Sequence, residues 1–129
     1  MTDPAQTVTK TSARSVSDTV SRLTELADAK GLKVFAVIDQ QAEARSAGLE
    51  LRATTLVAFG NPAAGTPVMA AFPLAALDLP LKVVVWDDGG ETKVSYTAPP
   101  ALAARYGIGP ELAGNLAGID AVTDALVAP

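Results

Sequence analysis

The sequence predicts a single α+β domain, with a mostly antiparallel sheet of about five strands that is covered by helices. Its 129 residues are enough for one domain with a core of its own, and 49% of them are apolar. Two local patterns decide the class. An amphipathic helix follows a first β-branched segment, and two later strands are joined by the turn Asp88-Gly89-Gly90.

The first third of the chain has the pattern of a strand, a helix and a second strand. Residues Thr7–Ser12 are rich in β-branched side chains and predict a strand at an edge of the sheet. Ser15 and Asp18 form an approximate capping box, and apolar residues at helical spacing follow until the stop residue Gly31. Residues Leu32–Asp39 then predict an internal strand. Its expected faces are Leu32, Val34, Ala36 and Ile38 on one side, and Phe35 and Val37 on the other.

Short helices and a third strand are expected in the middle of the chain. Residues Gln40–Ala47 have a helix-forming composition, and Thr54–Phe59 predicts a strand that stops at Gly60-Asn61-Pro62. Thr66 is a suitable N-cap for the next helix, because Pro67 then occupies its first position.

A β-hairpin is the clearest local prediction in the remainder of the chain. Residues Leu81–Asp87 and Glu91–Thr97 are its two strands. Beyond them we expect a short helix over Ala101–Arg105 and a longer one over 111–127. The whole chain, 1–129, is predicted to be one domain, because neither a linker nor an internal repeat is present.

The composition excludes several kinds of chemistry. The chain has no histidine and no cysteine, which rules out imidazole catalysis, disulfides and thiolate zinc sites. A net charge of −4 and a pI near 4.6 argue against a nucleic-acid partner. The N-terminus lacks a signal-peptide pattern, and the longest near-apolar stretch, Pro67–Leu77, is too short to span a membrane. We therefore expect a cytoplasmic protein without cofactor, metal or membrane contact; an export signal that has been removed is the alternative.

Several short motifs occur in a fixed order between Ser15 and Ile108. They are Lys30-Gly31-Leu32-Lys33-Val34-Phe35, Phe59-Gly60-Asn61-Pro62, Gly65-Thr66-Pro67, Asp78-Leu79-Pro80-Leu81-Lys82 and Val94-Ser95-Tyr96. With these motifs the chain resembles the uncharacterised family called domain of unknown function 302. The resemblance implies a β-α-β(4)-α arrangement like that of the TATA-binding protein, and a homodimer, but no established activity. Gln40 and Tyr106 stand where relatives often carry histidine, so any imidazole chemistry of those relatives is absent from this chain.

Two carboxylate pairings are candidates for chemistry. Asp39 and Glu43 are four residues apart and could act as an acid–base pair, or Asp39 could simply cap the helix that follows it. Asp78 and Lys82 flank Leu79-Pro80-Leu81 and point to the same side of an extended segment. They predict either a site for an anionic or amphoteric ligand, or an ion pair that anchors the approach to the hairpin.

The remaining candidates are a glycine-rich turn and several large side chains. The turn from Asn61 to Thr66 enters a helix, where free backbone N–H groups can bind an anion, although it carries no nucleotide-binding motif and could be structural only. Met69, Phe72, Trp86 and Tyr96 are the large side chains expected around a cavity, where Trp86 and Tyr96 could stack; alternatively, all four fill the core.

Together these patterns favour a domain that binds a small molecule or a protein partner over an enzyme, and the family resemblance implies that it is a homodimer. The predicted ligand-binding residues are Asn61, Thr66, Met69, Asp78, Lys82 and Tyr96. One alternative is a hydrolase or isomerase that uses Asp39 or Asp78, and another is an assembly module that joins copies through an edge strand or the terminal helix. A cavity of about 300 Å³ or more favours a ligand, whereas a filled core with a large apolar interface favours assembly.

Overall fold

The structure is a computed structural model that describes residues 6–129. Its strands are β1 (Thr7–Ser12), β2 (Lys33–Asp39), β3 (Thr54–Gly60), β4 (Leu81–Asp88) and β5 (Glu91–Thr97). Its helices are α1 (Val16–Ala29), α2 (Gln40–Ser46), α3 (Pro62–Ala71), α4 (Pro99–Tyr106), α5 (Pro110–Ala113) and α6 (Gly118–Val127), with 3₁₀ turns at Pro73–Leu77 and Gly114–Leu116. The predicted α+β class, a single domain with one five-stranded antiparallel sheet, is confirmed. The polar N-terminus considered above, with the start of the predicted 1–129 domain, lies outside the described residues.

The strand order of the sheet is β1-β5-β4-β3-β2, so β1 and β2 are its two edges. The edge position predicted for β1 is confirmed, whereas the internal position predicted for β2 is wrong, because β2 pairs only with β3 among the described residues. A bulge also shifts the register of β2: Val34 lies opposite Phe59, but Ala36 lies opposite Ala58. Since neighbouring residues of β3 face opposite sides, Val34 and Ala36 do not share the predicted face.

One face of the sheet carries the main core, under α1 and α6. The fully or almost fully buried residues of this core are Leu23, Val57, Phe59, Val83, Val85, Val94, Tyr96, Ile119, Val122 and Leu126. The strand residues in this list alternate along β3, β4 and β5, as expected for strands that are buried on one side. The opposite face, which we call the open face, carries alternate residues of the same strands; these include Leu56, Val84, Trp86 and Ser95.

The C-terminal end of α6 is held by two arginines from the other end of the chain. Arg14 donates to the carbonyls of Leu126 and Ala128 at 3.1 and 3.2 Å. Arg22 donates to the carbonyls of Leu126 and Ala125 at 3.2 and 3.1 Å. The last carbonyls of a helix lack partners within the helix, so these bonds satisfy them and fix α6 against α1.

Two helix boundaries differ from those predicted. Helix α3 begins at Pro62 rather than Pro67, because Asn61 caps it by accepting the N–H of Ala63 at 2.9 Å. The Asn-Pro pair provides the same cap-plus-proline pattern as Thr66 and Pro67, several residues earlier. The predicted helix over 111–127 is divided into α5, a 3₁₀ turn and α6. Glycines at 114 and 118 begin the last two pieces, and glycine is a poor helix former.

The hairpin of β4 and β5 is confirmed with a two-residue turn. Asp88 pairs with Glu91, and Gly89 and Gly90 between them have φ angles of +60° and +101°. Only glycine adopts such angles readily, so the turn residues select this register. The register places the side chains of Trp86 and Ser95 on the open face and those of Val94 and Tyr96 in the core.

Candidate functional site

The structure divides the six predicted site residues between two depressions. Three line a large apolar cavity: Asn61, Thr66 and Met69. The other three line a smaller groove of about 280 Å³ at one end of the sheet: Asp78, Lys82 and Tyr96. The two groups therefore have different surroundings and are described in turn.

The cavity has a volume of about 620 Å³ and lies between the end of β3, helix α3 and the start of α6. Its apolar lining consists of Leu32, Phe35, Phe59, Pro62, Ala64, Met69, Leu79, Pro80, Leu81, Leu116, Ile119, Ala121 and Val122. Four glycines also line it, at 60, 65, 114 and 118, and they leave backbone exposed to a ligand. The thioether of Met69 is flexible and polarizable, which suits a wall that adapts to its occupant.

Four polar side chains interrupt this apolar lining. Asn61 uses its Oδ1 to cap α3, which leaves its amide N–H groups to donate. Asn115 donates from Nδ2 to the carbonyl of Ala64 at 3.0 Å and so ties the turn before α6 to α3. Thr66 lies inside α3 and is exposed, so it does not belong to a helix N-terminus as predicted. Lys30 is the one ionisable side chain among the described residues that line the cavity.

Asp78 is the centre of a polar cluster in the groove. Its Oδ2 accepts from Nη1 of Arg105 at 2.7 Å and from the hydroxyl of Tyr106. The predicted ion pair with Lys82 is present but long, at 3.9 Å between Nζ and Oδ1. The cluster therefore fixes α4 to the segment before β4, and the predicted anchoring role is carried mainly by Arg105 and Tyr106. The hydroxyl of Tyr106 is used here as a hydrogen-bond donor.

Partial burial and the polar cluster have opposing effects on the pKa of the Asp78 carboxyl. Burial alone would raise the pKa of this carboxyl, but the hydrogen bonds from Tyr106 and Arg105, with the charges of Arg105 and Lys82, lower it overall. The hydrogen bond between Tyr106 and Asp78 also raises the pKa of the Tyr106 hydroxyl, because it favours the protonated phenol. A carboxyl with a lowered pKa is ionised throughout the neutral range and is a poor proton donor there.

Asp78→Asn is expected to destabilise the protein by about 1 kcal/mol at pH 7, because it weakens half-exposed charged hydrogen bonds. The folded pKa of Asp78 lies below its unfolded value, so the stability that it adds is complete above about pH 4 and is lost as the pH falls through the folded pKa. Urea unfolding of both proteins at pH 7, 5 and 3.5 checks this. The difference between them should shrink at the lowest pH, and a constant difference would contradict the assignment.

Tyr96 faces the core rather than an open site, and its side chain is 4% exposed. Its hydroxyl donates to Oδ1 of Asp120 and accepts from Oγ1 of Thr123 at 3.3 Å. Burial is the main cause that raises the pKa of Tyr96, and the bond to Asp120 adds to it. Lys10 of β1 lies 5.3 Å from the Tyr96 ring centroid and pairs with Asp124 at 2.7 Å. Tyr96 thus belongs to a network that joins the sheet to α6.

Two further candidates take local structural roles. Trp86 and Tyr96 do not stack, because they lie on opposite faces of the sheet; Trp86 donates instead to Oγ of Ser95 at 3.0 Å. Asp39 accepts the N–H of Ala42 at 2.9 Å and caps α2. The capping alternative considered for Asp39 is therefore the one that the structure shows.

Several residues of these sites were not singled out by the sequence patterns. Asn115 and Asp120 lie in the predicted terminal helix, where nothing distinguished them from other polar positions. Arg105 ends the short helix after the hairpin, and only the approach of that helix to Asp78 reveals its use. Lys30 is half of Lys30-x-x-Lys33, the shortest spacing between two basic residues in the sequence.

The chain also matches a known protein family. Residues 8–126 match the family described as "Domain of unknown function DUF302". The chain belongs to the DUF302 family. The predicted resemblance is thereby confirmed, and the function is that of an uncharacterised family. The fold of this DUF302 chain matches the crystal structure of an uncharacterized conserved DUF302 protein from Bacillus stearothermophilus, with a TM-score of 0.81, 23% identity and 95% of each chain covered.

Curated relatives of this DUF302 chain carry a functional name. This chain is 39% identical over 103 residues to proteins named "Fluoride-specific ion channel FluC 1" from Brucella suis and Brucella abortus. The match covers 79% of this chain but only 41% and 38% of theirs, so the chain spans about two fifths of the length of these relatives. Within residues 6–129, no helix has both the length and the apolar character needed to cross a membrane.

Proposed function

We propose that this domain binds a small, largely apolar molecule in the cavity between β3, α3 and α6. The observation that supports the proposal most directly is the cavity itself, at about 620 Å³ with mainly apolar walls. Ligand sites typically have about 300–1,000 Å³, with apolar walls and a few polar groups that orient the ligand. The groove at Asp78 is smaller, and its polar groups are already occupied by one another.

The sequence motifs of the chain meet at the same cavity. Residues 59–62, which carry the Phe-Gly-Asn-Pro motif, line one side of it. Gly65 and Thr66 of the next motif line it too, and so do residues 79–81. Segments that are well separated in the chain thus line one cavity, which supports a binding role for it.

The arrangement favours binding over catalysis. Among residues 6–129, Lys30 is the single ionisable side chain that lines the cavity, so this lining offers no pair of groups for acid–base work. The carboxylates of the enzyme alternative are engaged elsewhere, since Asp39 caps α2 and Asp78 accepts from Arg105. We therefore infer a binding domain rather than a hydrolase or isomerase.

Filling the cavity with a large side chain tests this proposal. Ala64→Trp is expected to weaken binding of the neutral fluorophore N-phenyl-1-naphthylamine at least tenfold, because Ala64 lines the cavity. Ala63→Trp is the matched control: Ala63 is the neighbouring exposed position on α3 and does not line the cavity, so its binding should be unchanged. Fluorescence titration measures both, with circular dichroism to verify folding.

Two outcomes would refute the cavity as the binding site. One is failure of the unaltered protein to bind apolar probes, and the other is equal loss of binding in both tryptophan variants. Should Ala64→Trp not fold, Ala121→Trp on α6 provides a second test, because Ala121 also lines the cavity and is exposed.

A second candidate function comes from the names of the relatives. Because the chain is 39% identical to part of proteins named fluoride-specific ion channels, we propose that domains of this kind modulate such channels. Deleting the matching 103-residue region from a Brucella relative should then change fluoride efflux from reconstituted vesicles at least twofold. Unchanged efflux, with equal amounts of protein in the vesicles, would contradict this role.

The homodimer and the cytoplasmic location stay predictions. The open face offers half-buried apolar side chains, such as Leu56 and Val84, that a second copy could cover. Light scattering coupled to size-exclusion chromatography distinguishes a particle of twice 13.1 kDa from a monomer. Because the chain has no cysteine, its stability does not depend on disulfides, and the chain is suited to a reducing compartment.

A further inference from the structure

We propose that the ligand of the cavity is an anionic amphiphile, with an apolar body inside and a carboxylate, sulfonate or phosphate head at Lys30. This inference rests on the proposed function and names the chemical class of the ligand. Neutral and cationic apolar molecules are the competing classes. The choice among them depends on the charges at the cavity, which are asymmetric.

The described lining contains one ammonium group and no carboxylate. Lys30 supplies the charge from the C-cap of α1, where its backbone N–H donates to the last carbonyls of that helix. The backbone of Lys30 is thus fixed while its side chain is exposed beside the cavity. An apolar site with one cationic group accepts a ligand whose head is negative, because the head gains a charge-assisted hydrogen bond while the body is removed from water.

A second ammonium group lies near a residue that lines the cavity. Lys33, the first residue of β2, holds its Nζ 5.1 Å from the ring centroid of Phe35, and Phe35 lines the cavity. Neither Lys30 nor Lys33 has a carboxylate of residues 6–129 within 4.0 Å, whereas Lys10, Lys82 and Lys93 each do. In a chain with a net charge of −4, these two unpaired lysines make one side of the cavity mouth locally positive.

Two opposing effects limit the size of the preference. The C-terminus of α1 carries a partial negative charge, which offsets part of the charge of Lys30. Both lysines are also exposed, so salt screens their attraction for an anion. Asn61 acts in the other direction, since it lines the same cavity and its amide N–H groups, which the cap at Oδ1 does not use, can donate to the oxygens of a head group. We expect a five- to tenfold preference for an anionic over a neutral ligand at low salt.

Three ligands with the same twelve-carbon chain and different heads test this inference. They are dodecanoate, dodecanol and dodecyltrimethylammonium, each used below its micellar concentration to displace N-phenyl-1-naphthylamine. Dodecanoate should bind five to ten times more tightly than dodecanol, and the cationic ligand should bind most weakly. Raising the salt concentration should reduce the difference, because the attraction is electrostatic.

Lysine variants locate the preference. Lys30→Gln should reduce it to about twofold, and Lys30→Gln with Lys33→Gln should abolish it while dodecanol binds as before. Lys93→Gln is the matched control; Lys93 lies on β5, pairs with Glu91 and does not line the cavity. Its preference for dodecanoate should stay unchanged.

The outcomes separate this inference from the proposed function. If dodecanol and dodecanoate bind equally well to the unaltered protein, the cavity binds apolar molecules but the anionic class is wrong. If Lys93→Gln lowers the preference as much as Lys30→Gln, the assignment to Lys30 is wrong. If the fluorophore binds but none of the three ligands displaces it, the inference is wrong while the proposed function stands; if the fluorophore itself does not bind, both fail.

Discussion

Leu126→Ala is expected to lower the free energy of unfolding by about 3 kcal/mol. Leu126 has 0% exposure and packs in the core between α6 and the sheet. Truncation removes buried methyl groups and leaves a cavity, because the carbonyls of Leu126 and its neighbours stay held by Arg14 and Arg22, so α6 cannot move inward to fill the space. Urea unfolding at pH 7 measures the change.

Leu74→Ala provides the matched control for this substitution. Leu74 lies in the 3₁₀ turn after α3 and is 70% exposed, so the same chemical change should alter stability by less than about 0.5 kcal/mol. Similar losses at both positions would show that Leu126 is not packed as described.

Tyr96→Phe is the second substitution with a large expected effect, a loss of about 2 kcal/mol. It removes only the hydroxyl that donates to the carboxylate of Asp120 inside the network between the sheet and α6. Hydrogen bonds to charged groups contribute about 1.5–3 kcal/mol, and the loss leaves the carboxylate without this donor. Thermal and urea unfolding both report the change, and the ring itself keeps its contacts in the core.

A double-mutant cycle with Asp120→Ala isolates this hydrogen bond. In the alanine background the acceptor is missing, so Tyr96→Phe should cost well under 1 kcal/mol. An equal cost in both backgrounds would mean that the Tyr96 hydroxyl stabilises the fold through Thr123 instead of Asp120.

Those parts of the fold that depend on local chemistry could be predicted from the sequence. The hairpin follows from Gly89 and Gly90, whose positive φ angles exclude most other residues. Helix α1 follows from its cap, since Ser15 accepts the N–H of Asp18 at 3.0 Å as the pattern suggested. Both features are decided within a few residues, so the sequence contains all the information that they need.

The position of β2 in the sheet could not be predicted in the same way. Apolar residues on both sides of 32–39 suggested burial by two neighbouring strands, but strand order depends on pairing across the whole chain. Phe35 lies at the bulge between Val34 and Ala36. It is 46% exposed and lines the cavity, so this apolar side chain is not buried between two strands. An edge strand with an apolar residue is compatible with a ligand site next to it.

The sequence identified residues that line the two depressions, but it did not predict that they belong to two separate depressions. Asn61, Thr66 and Met69 meet at the cavity, whereas Asp78 and Lys82 line the groove, and Leu81 lines both. Lys30 comes from the far end of α1, and Asn115 comes from the broken terminal helix. Both reach the cavity only through tertiary packing, and spacing along the sequence contains no sign of that.

Methionine and tryptophan resonances test the central claim of a ligand cavity most directly. The chain has two methionines, Met1 and Met69, and one tryptophan, Trp86. Met69 lines the cavity, whereas Trp86 lies on the open face on the other side of the sheet. The methyl signal of Met69, assigned with Met69→Leu in protein labelled with ¹³C at the methionine methyl groups, should shift in a saturable way as dodecanoate is added. The indole N–H signal of Trp86 should not move; a shift of Trp86 without any shift of Met69 would contradict the account.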